Sequence, residues 1–250
     1  MSSLSAQIRV GQQNISVDLN RSFDISIPIS GDGRGVLAFG ACAPQIKALE
    51  VGSYVGDVKR GGSCNCSTVS ITPHCQGTHT ESMGHITTEP IYVTEVLKHT
   101  IFLAQVISVT PQLVDNGDQV ITAESVRRVL SSARPSQAIV IRTLPNTDAK
   151  LSTNYSGTNP PYLEPAAASF IAEQGIEHLL IDTPSLDRED DGGKLNAHRA
   201  FWSKGREHCT VTELIYVRNS IPDGYYLLDL QVAPILSDAA PSRPLLFPIS

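Results

Sequence analysis

Two kinds of hydrophobic rhythm alternate along this chain, and they predict strands first and then alternating helices and strands. Gln7-Ile8-Arg9-Val10 and Asn14-Ile15-Ser16-Val17 alternate apolar and polar positions on either side of Gly11, a hairpin signature. From Gly52 to Pro73 the strand-like pattern continues through Val55, Val58, Val69 and Ile71, with a turn at Gly61-Gly62. Residues 101 to 109 form an apolar, β-branched run that predicts a buried strand. The period then changes: between 122 and 134, Val126, Val129, Leu130 and Ala133 recur at helical spacing before Pro135. Ala138-Ile139-Val140-Ile141 reads as another core strand.

The second half repeats this helix-to-strand step. Residues 146 to 163 are rich in Asn, Thr, Gly and Pro, and a loop of that length in a compact fold is a candidate cover for an active site. Pro165 opens a helix that Gly175 closes, with Ala167, Phe170 and Ile171 on its apolar face. A strand over 178 to 182 follows, so Asp182 and Asp187 fall at its carboxyl end, where loops carry binding groups; each is expected to cap a turn. Residues 188 to 196 read as a solvated surface loop and not as a ligand set. Tyr225 to Val232 and Leu245 to Pro248 are closing strands, with Pro241 and Pro244 at edge or loop positions. The pattern alone supports a mixed α/β class, and 250 residues with 41% hydrophobic side chains suit one substantial core over 1–250.

Charge and cysteine usage narrow the function. A net charge of −6 without any basic block argues against nucleic acid as a partner. The first twenty residues hold no continuous apolar stretch, so neither a signal peptide nor a membrane span is expected, and a cytoplasmic location follows. Five cysteines form no framework spacing. Cys42 and Cys209 are expected to be buried thiols. Cys64 and Cys66 would share one face of a strand, which leaves a second metal or redox role conceivable there.

The chemistry concentrates in His74-Cys75-Gln76-Gly77-Thr78-His79-Thr80-Glu81-Ser82-Met83-Gly84-His85, which gathers three of the seven histidines, a thiol and a carboxylate into twelve residues. Burying such a set costs several kcal/mol unless a cation neutralises the carboxylate. Gly77 permits a sharp bend. On an extended segment, positions 79, 81, 83 and 85 would then face one cavity. Imidazole and carboxylate together suit zinc or manganese, and a Cys75 thiolate would favour zinc.

This segment resembles the motif of the cyclase family, the bacterial kynurenine formamidase-like metal-dependent hydrolases, in which His-x-Gly-Thr-His-x-Asp-x-Pro-x-His carries metal ligands and a catalytic histidine. Gly77, Thr78, His79, the acid at 81 and His85 keep the spacing. Cys75 stands where the first histidine is expected, Glu81 replaces the aspartate and Met83 the proline. Phe23 to Ile29 is similar to the family's opening strand, and Leu179 to Asp187 resembles its Gly-Ile-Asp-Thr-x-Ser-x-Asp stretch. His198 and Glu213 match the downstream histidine and glutamate in segment order, with Glu207 and His208 as a rival pair.

The resemblance implies a swivelling β/β/α, barrel-like mixed sheet with flanking helices, assembled as a homodimer or larger homo-oligomer. It implies one or two divalent ions held by His74, His79, Glu81, His198 and Glu213, with one ion on His79, Glu81 and His74 or Cys75, and a second on His198 and Glu213. His85 would move a proton from water to the leaving nitrogen. Water on such an ion has its pKa lowered to about 7. The implied activity is hydrolysis of a non-peptide C–N bond, in an aryl formamide or cyclic amide. The alternatives are a catalytically idle metal-binding relative and a hydrolase or dehydratase acting at a C–O centre. Phe39, Tyr54 and Trp202 are candidate apolar walls for an aromatic substrate.

Overall fold

Four largely apolar runs lie side by side at the centre of the molecule, and their alternating residues supply both faces of its core. In this computed structural model, which describes residues 4–10, 13–130, 133–203 and 205–250, the principal sheet has nine strands. In chain order they are β1 (Phe23–Asp24), β2 (His79–Glu81), β3 (Ile101–Val109), β4 (Ala138–Thr143), β5 (His178–Ile181), β6 (Thr210–Glu213), β7 (Gly224–Asp229), β8 (Ala239–Pro241) and β9 (Leu245–Pro248). Their spatial order is β8-β2-β6-β5-β4-β3-β7-β9-β1. Strands β3 to β6 are mutually parallel, and antiparallel strands extend the sheet on both sides. The sheet curls into a half-barrel, so the architecture is mixed α/β as expected.

The period of two along each strand sorts the core. Ile107, Val109, Ile139, Ile141, Leu179, Ile181 and Val211 point to one face, where they pack on Val126, Ala167, Ile171, Ala197 and Phe201 from the helices. Ala104, Val106, Ala138, Val140 and Leu180 point to the other and meet Tyr226, Leu228 and Leu246. Parallel strands covered on both faces must be apolar throughout, which is why these runs read so plainly in sequence.

Among the described residues there are four α-helices: α1 (Val93–Val96), α2 (Ala123–Val129), α3 (Pro165–Glu173) and α4 (Asn196–Phe201). Helix α3 begins at Pro165, and Gly175 just beyond it adopts φ 77°, as expected from a proline start and glycine stop. Helix α2 is shorter than the predicted 122–134. Thr122 caps it by accepting from the Ser125 amide, but Leu130 is already extended and Val129 faces outward. Beyond it, Arg134 is tied through its backbone to the Tyr225 hydroxyl of β7, which draws the chain away from a helical path. Residues 131 and 132 of that prediction lie outside the described residues.

The hairpin forms between Ser5–Val10 and Gln13–Asp18, with Gly11 outside the described residues. The region from 52 to 73 is not a continuous strand. It contributes Tyr54–Val55 to one small ribbon and Ser67–Ser70 to another, while Val58 sits in a short 3-10 turn, and Val58 and Val69 are exposed. No helix among the described residues is long and apolar enough to cross a membrane.

Strand β5 starts with a buried titratable group. His178 accepts or donates at Nδ1 to the Thr210 hydroxyl at 2.9 Å and lies 4.0 Å, ring to ring, from Phe102. Burial, with a smaller contribution from His208, pushes its pKa down from 6.5 to about 4. The unfolded chain therefore takes up this proton first, so the neutral ring's contribution is complete above pH 6.5 and is lost as pH falls towards 4. We expect His178→Gln to reduce the loss of unfolding free energy between pH 7.5 and 4.5 by about 2–3 kcal/mol. Urea denaturation at the two pH values checks this; an unchanged acid limb refutes it.

Candidate metal centre and active site

The site is assembled on the antiparallel pairing of β2 with β6. In that register Glu213 lies opposite His79 and Val211 opposite Glu81. Residues 79 and 81 share a face because they are two apart, and cross-strand partners share a face, so His79, Glu81 and Glu213 project to one side. All three are buried. Gly77 makes the approach possible: with φ 152°, it brings the chain so close to the segment after β1 that an added Cβ would stand 2.7 Å from Ile29 Cγ1 and 3.1 Å from the Ile27 carbonyl. Thr78 locks this crossing, accepting from the Ile27 amide at 2.7 Å and donating to the Leu214 carbonyl at 2.5 Å.

Three further elements close the cluster. His74, in a 3-10 turn over Pro73–Cys75, places Nδ1 2.9 Å from Glu81 Oε2 and Nε2 2.8 Å from Asp238 Oδ2. His85 lies with Nδ1 3.8 Å from Glu81 Oε2 and 3.6 Å from Asp238 Oδ2, its ring 4.3 Å from that of His74. His198, near the start of α4, points Nε2 at Glu81 Oε1 (3.0 Å) and Glu213 Oε1 (3.4 Å).

The hydrogen bonds on the far side of the imidazoles define what the near side needs. His79 Nδ1 is 3.0 Å from the Gly77 carbonyl, an acceptor only, so Nδ1 carries the hydrogen. In the neutral ring Nε2 then presents a lone pair, and it faces Glu213 Oε2 at 3.4 Å without a hydrogen bond. Glu81 Oε2 is likewise buried without a hydrogen bond, the 2.9 Å approach of His74 Nδ1 lacking the required geometry. His198 repeats the arrangement: Nδ1 donates to Asp187 Oδ2 at 2.6 Å, leaving Nε2 for the two glutamates. Lone pairs and carboxylates converging in a buried space require a positive charge between them, and imidazoles backed by a carbonyl or carboxylate are the arrangement metal ligands adopt.

The electrostatics agree. Burial raises the pKa of Glu81, yet His198 and His74 outweigh it and hold the carboxyl well below its ordinary value. Glu213 is also lowered, against burial and the charge of Glu81, by His198 and His79. Burial disfavours the charged form of His74, but Asp238 and Glu81 raise it to about 10, and His198 is raised well above 6.5 against burial by Asp187, Glu213 and Glu81. The cluster thus draws protons strongly, and a divalent cation can take their place. Among the described residues, two overlapping sets have donor atoms close enough to hold an ion, His74-Glu81-His85 and His79-Glu81-Glu213, with Glu81 common to both.

The predicted site residues His74, His79, Glu81, His85, His198 and Glu213 are therefore brought together, but not in the expected partition: His74 groups with His85, expected as a proton carrier, and His79 with Glu213, while the expected ligand His198 contacts both glutamates and belongs to neither set. The strand alternation does not continue to residue 85. The chain turns at Ser82 into a 3-10 turn over Met83–Ile86, which returns His85 to the cluster and sends Met83 into the core. Cys75 lines the same cavity but belongs to neither donor set, and burial together with Glu213 raises its thiol pKa. The rival residues Glu207 and His208 are exposed, with His208 beside His178 at the other end of β5 and β6.

Sequence reasoning missed Asp238, which precedes the edge strand β8 and carries no local motif. It read Asp187 as a cap, and Asp187 does accept from the amides of Ala197 and His198 at the start of α4, but the same carboxylate orients the His198 ring. Asp182 is no turn cap: it is buried against Lys150 Nζ (2.8 Å) and Thr143.

The cluster opens into a cavity of about 470 Å³ lined by Phe39, His74, Cys75, His85, Ser185 and Leu195, with Arg188 to Gly193 forming a wall. The expected surface loop 188–196 is thus part of the site, while the 146–163 segment borders a different, smaller cavity beside Lys150. Of the candidate apolar walls only Phe39 lines the cavity. Trp202 is core, its ring 5.4 Å from that of His198, and Tyr54 contacts Cys64 elsewhere. Cys42 is exposed rather than buried, Cys209 is buried, and Cys64 and Cys66 belong to no donor set of three among the described residues.

A half-barrel sheet with this His/Glu cluster on one face defines the class, and comparison with known proteins defines the family. Residues 17–188 match the family model described as "Putative cyclase", and the chain belongs to the cyclase family. It is 30% identical over 89 residues to a kynurenine formamidase of Bacillus mycoides (strain KBAB4), a match covering 36% of this chain and 41% of that protein. The chain thus spans about two fifths of the length of the curated relatives it matches. Its fold is similar to that of a predicted metal-dependent hydrolase from Bacillus stearothermophilus (TM-score 0.64, 18% identity, 91% of this chain and 98% of that one). It is also similar to isatin hydrolase A from Ralstonia solanacearum (TM-score 0.64, 16% identity, 91% of each chain).

If Asp187 orients His198 as described, Asp187→Asn should weaken divalent metal affinity about 10- to 100-fold. Glu81→Gln, which removes the charge common to both donor sets, should abolish stoichiometric binding, while Glu207→Gln and His208→Gln should leave it intact. Elemental analysis and calorimetric titration with zinc and manganese decide the point; full metal content in Glu81→Gln would refute the assignment.

Proposed function

We propose that this protein is a metal-dependent hydrolase of a non-peptide C–N bond, with an aryl formamide or a cyclic amide as its substrate class. The observation that carries this reading is the pairing of two buried imidazoles, each held on its far nitrogen by Gly77 or Asp187, with two buried glutamates at their open nitrogens. Family membership and the names of the relatives, kynurenine formamidase and isatin hydrolase, support the amide assignment. His79, Glu81, Glu213, His198 and His74 would hold zinc or manganese. When bound, such an ion polarises a carbonyl and acidifies water.

The chain's own groups supply the remaining chemistry. Hydrolysis adds water across the carbonyl carbon and breaks the C–N bond, so the departing nitrogen must gain a proton as the acyl carbon gains oxygen. His85 is the imidazole suited to carry it. It is partly exposed at the cavity, and its Nδ1 stands 3.6–3.8 Å from the carboxylates of Asp238 and Glu81, beyond hydrogen-bond distance, so the ring is oriented without being immobilised. Phe39 and Leu195 give an aryl group an apolar wall. Asp238, held by His74 Nε2, keeps negative charge beside both imidazoles.

His85→Ala should lower kcat for amide hydrolysis roughly 10²- to 10⁴-fold and leave metal content unchanged. A panel of N-formyl aromatic amines, cyclic imides and lactones, assayed on metal-loaded enzyme, identifies the bond cleaved. Loss of metal from His85→Ala would make His85 a ligand and overturn its role as proton carrier. Turnover of lactones alone would overturn the C–N assignment.

A further inference from the structure

Resting on the hydrolase reading, we propose that Arg188 forms a subsite for a carboxylate on the substrate, so that the enzyme prefers anionic over neutral amides. Arg188 stands in the wall of the cavity that holds the His/Glu cluster, with its side chain 39% exposed. Two of its three nitrogens are committed: Nε donates to Asp118 Oδ2 at 2.9 Å and Nη1 to the Asp190 carbonyl at 2.6 Å. Nη2 makes no hydrogen bond among the described residues.

The far side of this contact is built to hold the guanidinium still. Asp118 is 1% exposed, and it also accepts from Asn159 Nδ2 (2.8 Å), Asn116 Nδ2 (2.8 Å) and the Tyr162 hydroxyl (3.1 Å). Four donors from four places in the chain thus converge on one carboxylate whose cationic partner reaches into the cavity. An arginine anchored through Nε and Nη1 has its rotamer entropy already spent, which favours recognition through the remaining amino group.

The acids next to Arg188 do not saturate it. Glu189 accepts from the amides of Gly157 and Asn159, and Asp191 from those of Gly193, Lys194 and Leu195. Asp190 offers its carbonyl to Nη1, and its carboxylate adds a second, weaker negative charge to that of Asp118 near the guanidinium. An incoming carboxylate can therefore pair with Nη2, with Asp190 tempering the affinity.

Formanilide and its ring-carboxylated counterpart, formamidobenzoate, test this on the metal-loaded enzyme. We expect the wild type to favour the carboxylated substrate in kcat/KM, and Arg188→Gln to reduce that preference about 10- to 100-fold through KM, with a much smaller effect on formanilide and with metal content retained. Arg188→Lys should retain part of the preference, and Asp190→Asn should increase it. Calorimetric binding of formamidobenzoate and formanilide to the wild type and Arg188→Gln runs in parallel. If neither compound is hydrolysed but the binding preference falls on substitution, the amide-hydrolase reading fails and the subsite stands. Equal handling of both compounds by the wild type, or an equal loss on both in Arg188→Gln and Arg188→Lys, would overturn the subsite.

Discussion

Glu81 is a carboxylate with no exposure to solvent, contacted by His198 on one oxygen and approached by His74 and His85 on the other. Burying it is tolerable only because positive charge meets it there, whether as protons on the imidazoles or as a metal ion. Each surrounding element can be understood as bringing one of those groups to it. The bend at Gly77 delivers β2, the register with β6 delivers Glu213, the Ser82-capped turn delivers His85, and Asp187 fixes the start of α4 so that His198 faces inward. The central parallel strands provide the rigid floor on which this convergence is repeatable.

The same device recurs farther out with different chemistry. Asp118 is buried at the centre of four donors, and the one that leaves its nest, Arg188, enters the cavity wall. A buried carboxylate thus sets the position of a nitrogen-bearing side chain in both places: Asp187 for His198, Asp118 for Arg188. Precise placement of a long or rotatable side chain costs conformational entropy, and an interior hydrogen-bonded acid offsets that cost before any ligand arrives. The loop 185–195 carries groups of both kinds, so it couples the floor of the cavity to its rim.

Much of this was visible in the order of residues. Strands β3, β4 and β5 are apolar on both faces and read directly, and the Pro165 start and Gly175 stop of α3 needed no tertiary knowledge. The dense His74–His85 segment announced a cation site because ligand-type side chains so close in sequence must be near in space. Where the reading failed, the deciding contact was distant. Helix α2 ends early at a segment tied to Tyr225, and residue 85 reaches the cluster by a turn rather than by strand alternation. Loop 188–196 looked solvated because its charges were counted without their partners, the backbone amides of the loops and the buried Asp118.

Local covalent neighbours and hydrophobic period were therefore enough to define the central strands, helix α3, the candidate metal-binding segment and the sharp bend at Gly77. Which donors share an ion, whether Glu213 or Glu207 joins them, and the entry of Asp238 and Asp187 depended on folding. These follow from strand register and from hydrogen bonds between residues 11 to 164 positions apart, and short-range patterning carries no information about either.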